Sequence, residues 1–252
     1  MDKVILEVKN IDLYDTFKNF SISFIKNKLI SISGPNNCGK TALIKILANI
    51  IEKDTIFLNK KKYSSYSVKE LNKSIQYIIP DEIAFIYDKV ENNIDYNGNL
   101  ELIKKLKLTK IKSKRIKELE IADLIKLKLL LCLMNNPQVL LLDDIYKYLT
   151  IEDKSIIIKI LKDYRDIHNL TIIQTNSDLK DSLNSDYLYL INKNQIILEG
   201  EPLDILQNDN IINKMGLELP FLIDLSVKLR DYELVSKIIT NEKELVEEIW
   251  KD

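Results

Sequence analysis

Apolar residues in this chain fall into short runs and longer stretches. The runs "VILEV" (4–8), "LISIS" (29–33), "IQYII" (75–79), "VLLL" (139–142), "LTIIQT" (170–175) and "YLYLI" (187–191) predict strands, several of them buried on both faces. Residues 40–50, 100–108, 121–134 and 153–164 predict helices. Strands alternating with helices predict an α/β fold, with helices on the faces of a mostly parallel sheet.

The chain has 252 residues and only five glycines. Its turns must therefore take the left-handed conformation with other residues. "KNK" at 26–28 and "NKN" at 192–194 offer asparagine, which tolerates that conformation. Hydrophobic residues are 46% and charged residues 30%, enough for a real core in one large domain with a modest appendage. A net charge of −1 gives no support to a nucleic-acid partner. Cys38 and Cys132 match no metal spacing and read as reduced thiols. The start, "MDKVILEVKNIDLYDT", mixes charges into its apolar run and does not read as a signal peptide. No apolar run approaches the ~20 residues of a membrane span, so any role at a membrane is played from the side. "LKLLLCLM" (127–134) follows Lys126, contains Lys128 and reads as a buried helix. Residues 104–117 carry Lys104, Lys105, Lys107, Lys110, Lys112, Lys114, Arg115 and Lys117. Two readings stand for that run, a solvated face of a helical subdomain or an anion-binding surface.

Gly34-Pro35-Asn36-Asn37-Cys38-Gly39-Lys40-Thr41 fits G-x-x-x-x-G-K-[ST] between a predicted strand and a predicted helix. Such a loop turns backbone N–H groups inward, and the helix behind adds its positive end. Lys40 reaches the outer phosphates and Thr41 offers its hydroxyl to Mg²⁺. About 100 residues on, "PQVLLLDDIYKYLT" (137–150) ends an apolar strand in acids. Asp143 is the candidate for the water shell of Mg²⁺, and Asp144 for orienting a water. A charged pair capping a buried strand is the alternative. Cys38, inside the loop, predicts a thiol open to reagents and shielded by Mg·ATP.

From these motifs outward the chain resembles an ABC-type ATPase. "FKNFSISFIKNKLISISGPNNCGKTALIKILANI", "TIFLNKKKYSSYSVKELNKSIQYI", "MNNPQVLLLDD" and "SDYLYLINKNQIILEGEPLDIL" are similar to successive parts of that domain. The tail, "MGLELPFLIDLSVKLRDYELVSKIITNEKELVEEIWKD", is similar to the ATPases of energy-coupling factor transporters. The resemblance implies a P-loop NTPase fold with an antiparallel β part. It implies an ATP-binding domain over 1–210, a helical subdomain over about 81–135 and a helical extension over 211–252. Tyr14 takes the place of the aromatic that stacks on adenine; a buried sheet-edge tyrosine is the other reading.

Several positions depart from the family pattern. ABC ATPases pair head to tail, each ATP lying between one subunit's loop and the other's LSGGQ signature. Here that signature reads Leu119-Glu120-Ile121-Ala122-Asp123, without serine or glycine. Glu120 and Asp123 either repel phosphate or cap the helix starting near Ile121. The glutamate after the Mg²⁺ aspartate is Asp144. Pro80 stands where a glutamine is expected, Lys147-Tyr148-Leu149-Thr150 replaces SALD, and Asn176 replaces the switch histidine. The lone His168 reads as a surface helix residue. The resemblance therefore implies a subunit that binds Mg·ATP and pairs with a second ABC ATPase, as a hetero- or homodimer. That pair would energise an integral membrane transporter component from the cytoplasmic face, an importer of vitamins or metal ions, with hydrolysis weakened. One alternative is a nucleotide-gated structural partner without turnover. The other is a soluble ABC ATPase acting on nucleic acid or ribosomes, which usually carries insertions or a second cassette absent here.

Overall fold

The structure, a computed structural model, describes residues 3–13, 16–95 and 98–250. The chain opens with β1 (Val4–Leu13), β2 (Phe17–Ile25) and β3 (Leu29–Ser33), then α1 (Lys40–Leu47), β4 (Ile56–Leu58) and β5 (Lys61–Lys62). Next come α2 (Val68–Ser74), β6 (Ile75–Ile78), α3 (Val90–Asn93), α4 (Leu100–Lys105) and α5 (Ile121–Met134). The middle returns to the sheet with β7 (Val139–Asp143), α6 (Ile151–His168), β8 (Thr171–Asn176), α7 (Leu179–Ser182), β9 (Tyr187–Asn192) and β10 (Gln195–Gly200). Four helices follow: α8 (Pro202–Leu206), α9 (Asp209–Lys214), α10 (Phe221–Asp231) and α11 (Glu242–Ile249).

Two sheets form. One is antiparallel in the order β2-β1-β4-β5; the other runs β10-β9-β3-β8-β7-β6, parallel from β9 to β6 with β10 antiparallel at its edge. Every residue of β3, β7 and β8 is buried, as expected for strands covered on both faces. Their carboxyl ends are in register: Ser33 lies opposite Asn176 and Asp143 opposite Thr175. The loops after β3, β7 and β8 therefore meet at one edge, the crevice where open α/β sheets place ligands.

The predicted strands and helices are present, with shifted ends. α5 has the expected bounds. α1 stops at Leu47, and Asn49 (φ 59°) turns the chain left-handed two residues on. The second predicted helix, 100–108, breaks at Lys105, because Lys107 adopts φ 59°. α6 begins earlier than predicted because the Thr150 hydroxyl accepts the Asp153 N–H at 3.1 Å, and exposed His168 is its last residue. Eight of the thirteen non-glycine residues with positive φ among the described residues are asparagines, Asn27 included. In the second predicted turn, however, Lys193 takes φ 50°, while the Asn194 amide donates to the Lys18 carbonyl in β2 at 2.6 Å.

Most of the basic run is exposed. Lys105 pairs with Glu101 at 2.7 Å and Lys107 with Glu152 at 2.9 Å, which is how a solvated helical face behaves. At the signature position, Glu120 is the residue before α5 and makes no side-chain cap. Asp123 sits in the first turn and binds Lys126 Nζ at 2.8 Å. The C-terminal helices close on the sheet: Ile205, Leu206, Ile212, Ile223 and Val227 share a core with Leu179, Leu188 and Leu190. α9 runs across the 210/211 boundary drawn from the sequence.

Candidate functional site

The loop after β3 is shaped by its two glycines. A side-chain carbon on Gly34 would lie 2.1 Å from the Ile191 carbonyl oxygen, so no other residue fits against that backbone. Gly39 precedes α1 at φ 105°, and a side-chain carbon there would meet Phe17 and Thr16 at 2.7 Å. Asn37 supplies a second left-handed turn at φ 61°. The loop thus curls over the start of α1, whose first N–H groups have no acceptor within the helix and no acidic side chain beside them. Lys40 Nζ crosses the loop to the Gly34 and Pro35 carbonyls at 2.6 and 3.0 Å. Asn36, Asn37 and Thr41 are exposed at the rim.

Cys38 departs from expectation. Its side chain is 2% exposed and belongs to the core beneath the loop, because Gly34 leaves room for the sulfur. Burial pushes the thiol up, partly offset by the charge of Lys40. The residue can serve the loop only through its backbone, and the thiol is not open to reagents.

The strand ends supply the acids. Asp143, 7% exposed, accepts the Thr175 hydroxyl at 2.7 Å. That hydroxyl accepts the Asp144 N–H at 3.0 Å, so one threonine orders both aspartates. Asp144 sits at φ 49°, a conformation aspartate tolerates. Its carboxylate accepts the Ser177 N–H at 2.9 Å and the Ser177 hydroxyl at 2.6 Å, and pairs with Lys147 Nζ at 3.2 Å. Burial disfavours the charge on Lys147, yet its hydrogen bonds to Asp144 and Tyr148 outweigh this and hold its pKa raised.

Asn176 does not reach this place. It is 1% exposed, and its amide donates to Ser31 Oγ at 3.0 Å and Ser182 Oγ at 3.2 Å, inside the protein. Gln174 donates to the same Ser31 oxygen at 3.0 Å, so 174 and 176 share one face of β8 while Thr175 points to the other, toward Asp143. The residue that arrives beside Asp144 is Ser177, which the sequence reading passed over. Strand parity links these residues, since a strand whose residue 175 faces Asp143 must turn 176 away, but which residue faces Asp143 is set by the register of β8. Tyr14 lies outside the described residues. Thr16, the first described residue after it, lines the cleft.

Lys40, Thr41, Asp143, Asp144, Lys147 and Ser177 line one open cleft of about 480 Å³. Pro80 and Asp81, after β6, close one side of it. Gly34 and Pro35 line an adjoining groove instead, and Asn36 lines both. Among the described residues no group of three or more His, Cys, Asp or Glu forms a metal cage. The donors fit a polyphosphate carrying a divalent ion: unpaired helix N–H groups and an ammunition of one ammonium from Lys40 for the phosphates, and the Thr41 hydroxyl with the Asp143 carboxylate for the metal's shell.

Comparison with known proteins agrees with that chemistry. Residues 17–147 match the family model described as ABC transporter. The energy-coupling factor transporter ATP-binding protein EcfA1 of Mesomycoplasma hyopneumoniae is 27% identical over 250 residues, covering 93% of this chain and 90% of that protein. The zinc import ATP-binding protein ZnuC of Ehrlichia canis is 26% identical over 213 residues, covering 82% and 88%. Among solved structures, cbiO1 from Clostridium perfringens, part of the ABC transporter complex cbiONQ, superposes with a TM-score of 0.69. The sequences are 21% identical, and the match covers 92% of this chain and all of that one.

Proposed function

The chain belongs to the ABC transporter family, and from that premise we propose that it is the ATP-binding subunit of a membrane importer, of the energy-coupling factor kind. The observation that carries the reading is the meeting of Lys40, Thr41 and Asp143 in one cleft at the carboxyl end of a parallel sheet. Mg·ATP is held there by the loop 34–41, with Thr41 and Asp143 facing the metal. The bound ion supplies charge neutralisation of the phosphates; the chain's own residues bind and orient. The relatives' names, an energy-coupling factor transporter subunit and a zinc import subunit, support a role in transport, and the second supports a metal ion as cargo; a vitamin is what the sequence resemblance implies. No helix among the described residues is long and apolar enough to cross a membrane. The subunit works peripherally, on the cytoplasmic face, paired with a second ABC ATPase and docked on a membrane component. Closure of the pair on ATP drives the membrane partner.

Hydrolysis by this subunit's own cleft is slow. Asp144 is a short carboxylate held at both oxygens by Ser177, whether or not Lys147 stays, so turning it toward a water costs those bonds. The same observation favours a second reading, a partner that binds ATP to hold the dimer and leaves turnover to the other subunit. The purified pair tests what the two readings share, a cleft that binds ATP and contributes little turnover. Lys40→Ala is expected to abolish nucleotide binding in this cleft, and Asp144→Asn to leave ATP turnover within about twofold. A large loss of turnover from Asp144→Asn, on the order of 10²-fold, would make this subunit a working ATPase. No saturable binding of a fluorescent adenine nucleotide by the chain or its complex would end the nucleotide reading.

A further inference from the structure

We propose that Lys147 is a second phosphate-binding cation of the cleft, drawn from Asp144 to the outermost phosphate of a bound nucleoside triphosphate. The inference rests on the nucleotide reading above and concerns the same cleft. Lys147 Nζ lies 3.2 Å from Asp144 Oδ2, and its side chain is 52% exposed. Both residues share the cleft wall with Lys40, Thr41 and Asp143.

Charge balance calls for it. The charged side chains of the cleft are Lys40, Asp81, Asp143, Asp144 and Lys147. Without Lys147 three carboxylates would face one ammonium, and the divalent ion alone would have to offset them as well as the entering polyanion. Letting go of Asp144 is also cheap. Its Oδ1 keeps the Ser177 N–H at 2.9 Å and its Oδ2 the Ser177 hydroxyl at 2.6 Å, so no bare carboxylate is left behind. The ammonium, on its flexible four-carbon stem, already lies 4.9 Å from the centre of the Tyr148 ring. That ring also lines the cleft, so the cation can move along an aromatic face rather than across bare apolar surface. A diphosphate lacks the group that Lys147 would meet. Binding of a triphosphate therefore changes the partners of Asp144, whereas binding of a diphosphate does not.

The test uses the full chain in magnesium buffer, with ATP and ADP competing separately against a fluorescent adenine nucleotide. Lys147→Met keeps the stem and removes the charge. It is expected to weaken ATP about fivefold to tenfold while ADP moves less than about twofold. Asp144→Asn frees the lysine and is expected to tighten ATP; in the Lys147→Met background that gain should shrink. Equal losses of ATP and ADP in Lys147→Met, no loss of either, or an undiminished gain in the double variant would each overturn the assignment. A native chain that binds neither nucleotide is a different failure, that of the nucleotide reading itself.

Discussion

A strand sends successive side chains to opposite faces, and that parity separates Asn176 from Ser177. Asn176 Nδ2 ties Ser31 and Ser182 together below the loop, while its Oδ1 is buried without a partner. Removing the amide therefore loses two hydrogen bonds but also one unpaired acceptor. Ser31 keeps Gln174, and Ser182 keeps Ser33 at 2.9 Å. Asn176→Ala is expected to cost about 1–2 kcal/mol of stability and to leave ATP affinity within about twofold. Urea unfolding and nucleotide titration check the two halves; a selective loss of ATP binding would put the amide back in the cleft. At this scale the shape of the loop 34–41 and its meeting with Asp143 were legible in the sequence, because their residue types are demanded by backbone space and charge. Cys38 and Asn176 were not. Spacing identifies a position, while the direction of its side chain depends on which neighbour leaves room, here Gly34 for one and Ser31 for the other.

The helices show where periodicity is enough and where it is not. α5 was read to its ends because an apolar run of that length has one way to be buried, and seven of its residues are buried. β2 was missed as a strand by pattern, although its burial alternates, because polar residues interrupt it at Lys18 and Asn19. α4 ended early at a left-handed lysine, which no propensity foretells. α5 is also joined to α6 by charge. Lys126, 7% exposed, lies 2.8 Å from Asp123 and 3.6 Å from Asp153, and Lys107 reaches Asp153 at 3.5 Å. Lys126→Met removes the central cation and leaves Asp153 with Lys107 alone. Breaking a buried pair from one side usually costs about 3–5 kcal/mol; with Lys107 still in place, about 2 kcal/mol is expected. An unchanged urea midpoint would show that the network carries no stability. If the network holds the helical subdomain to α6, the same variant should also be cut faster by protease near residues 104–117.

At the scale of the molecule, the resemblance drew a boundary at 210/211 that the core does not respect. Ile212, Ile223 and Val227 pack with Leu179, Leu188 and Leu190, and the last two belong to β9, next to the strand that feeds the phosphate loop. The far end is different. Val235, Ile239 and Leu245 form a small cluster of their own against Leu222, Leu225 and Leu229 of α10. Its tie to α10 is the buried Ser226 hydroxyl, which accepts the Ile239 N–H at 3.1 Å and donates to the Leu222 carbonyl at 2.7 Å. Two truncations should therefore behave unequally. Ending the chain after Asn210 uncovers several large apolar side chains of the sheet domain, each worth about 1.5–3 kcal/mol when buried. That sum approaches the whole stability of a domain, so aggregation or loss of cooperative unfolding is expected. Ending it after Asp231 removes the outer cluster and, from the inner one, only the half-buried Ile238, and the remaining chain is expected to unfold cooperatively and to bind nucleotide with unchanged affinity. A stable, nucleotide-binding product of the first cut would make the extension a separate domain. Failure of the second would mean that α11 supports the cleft through α10, which lines the groove beside the phosphate loop with Phe221, Asp224 and Lys228.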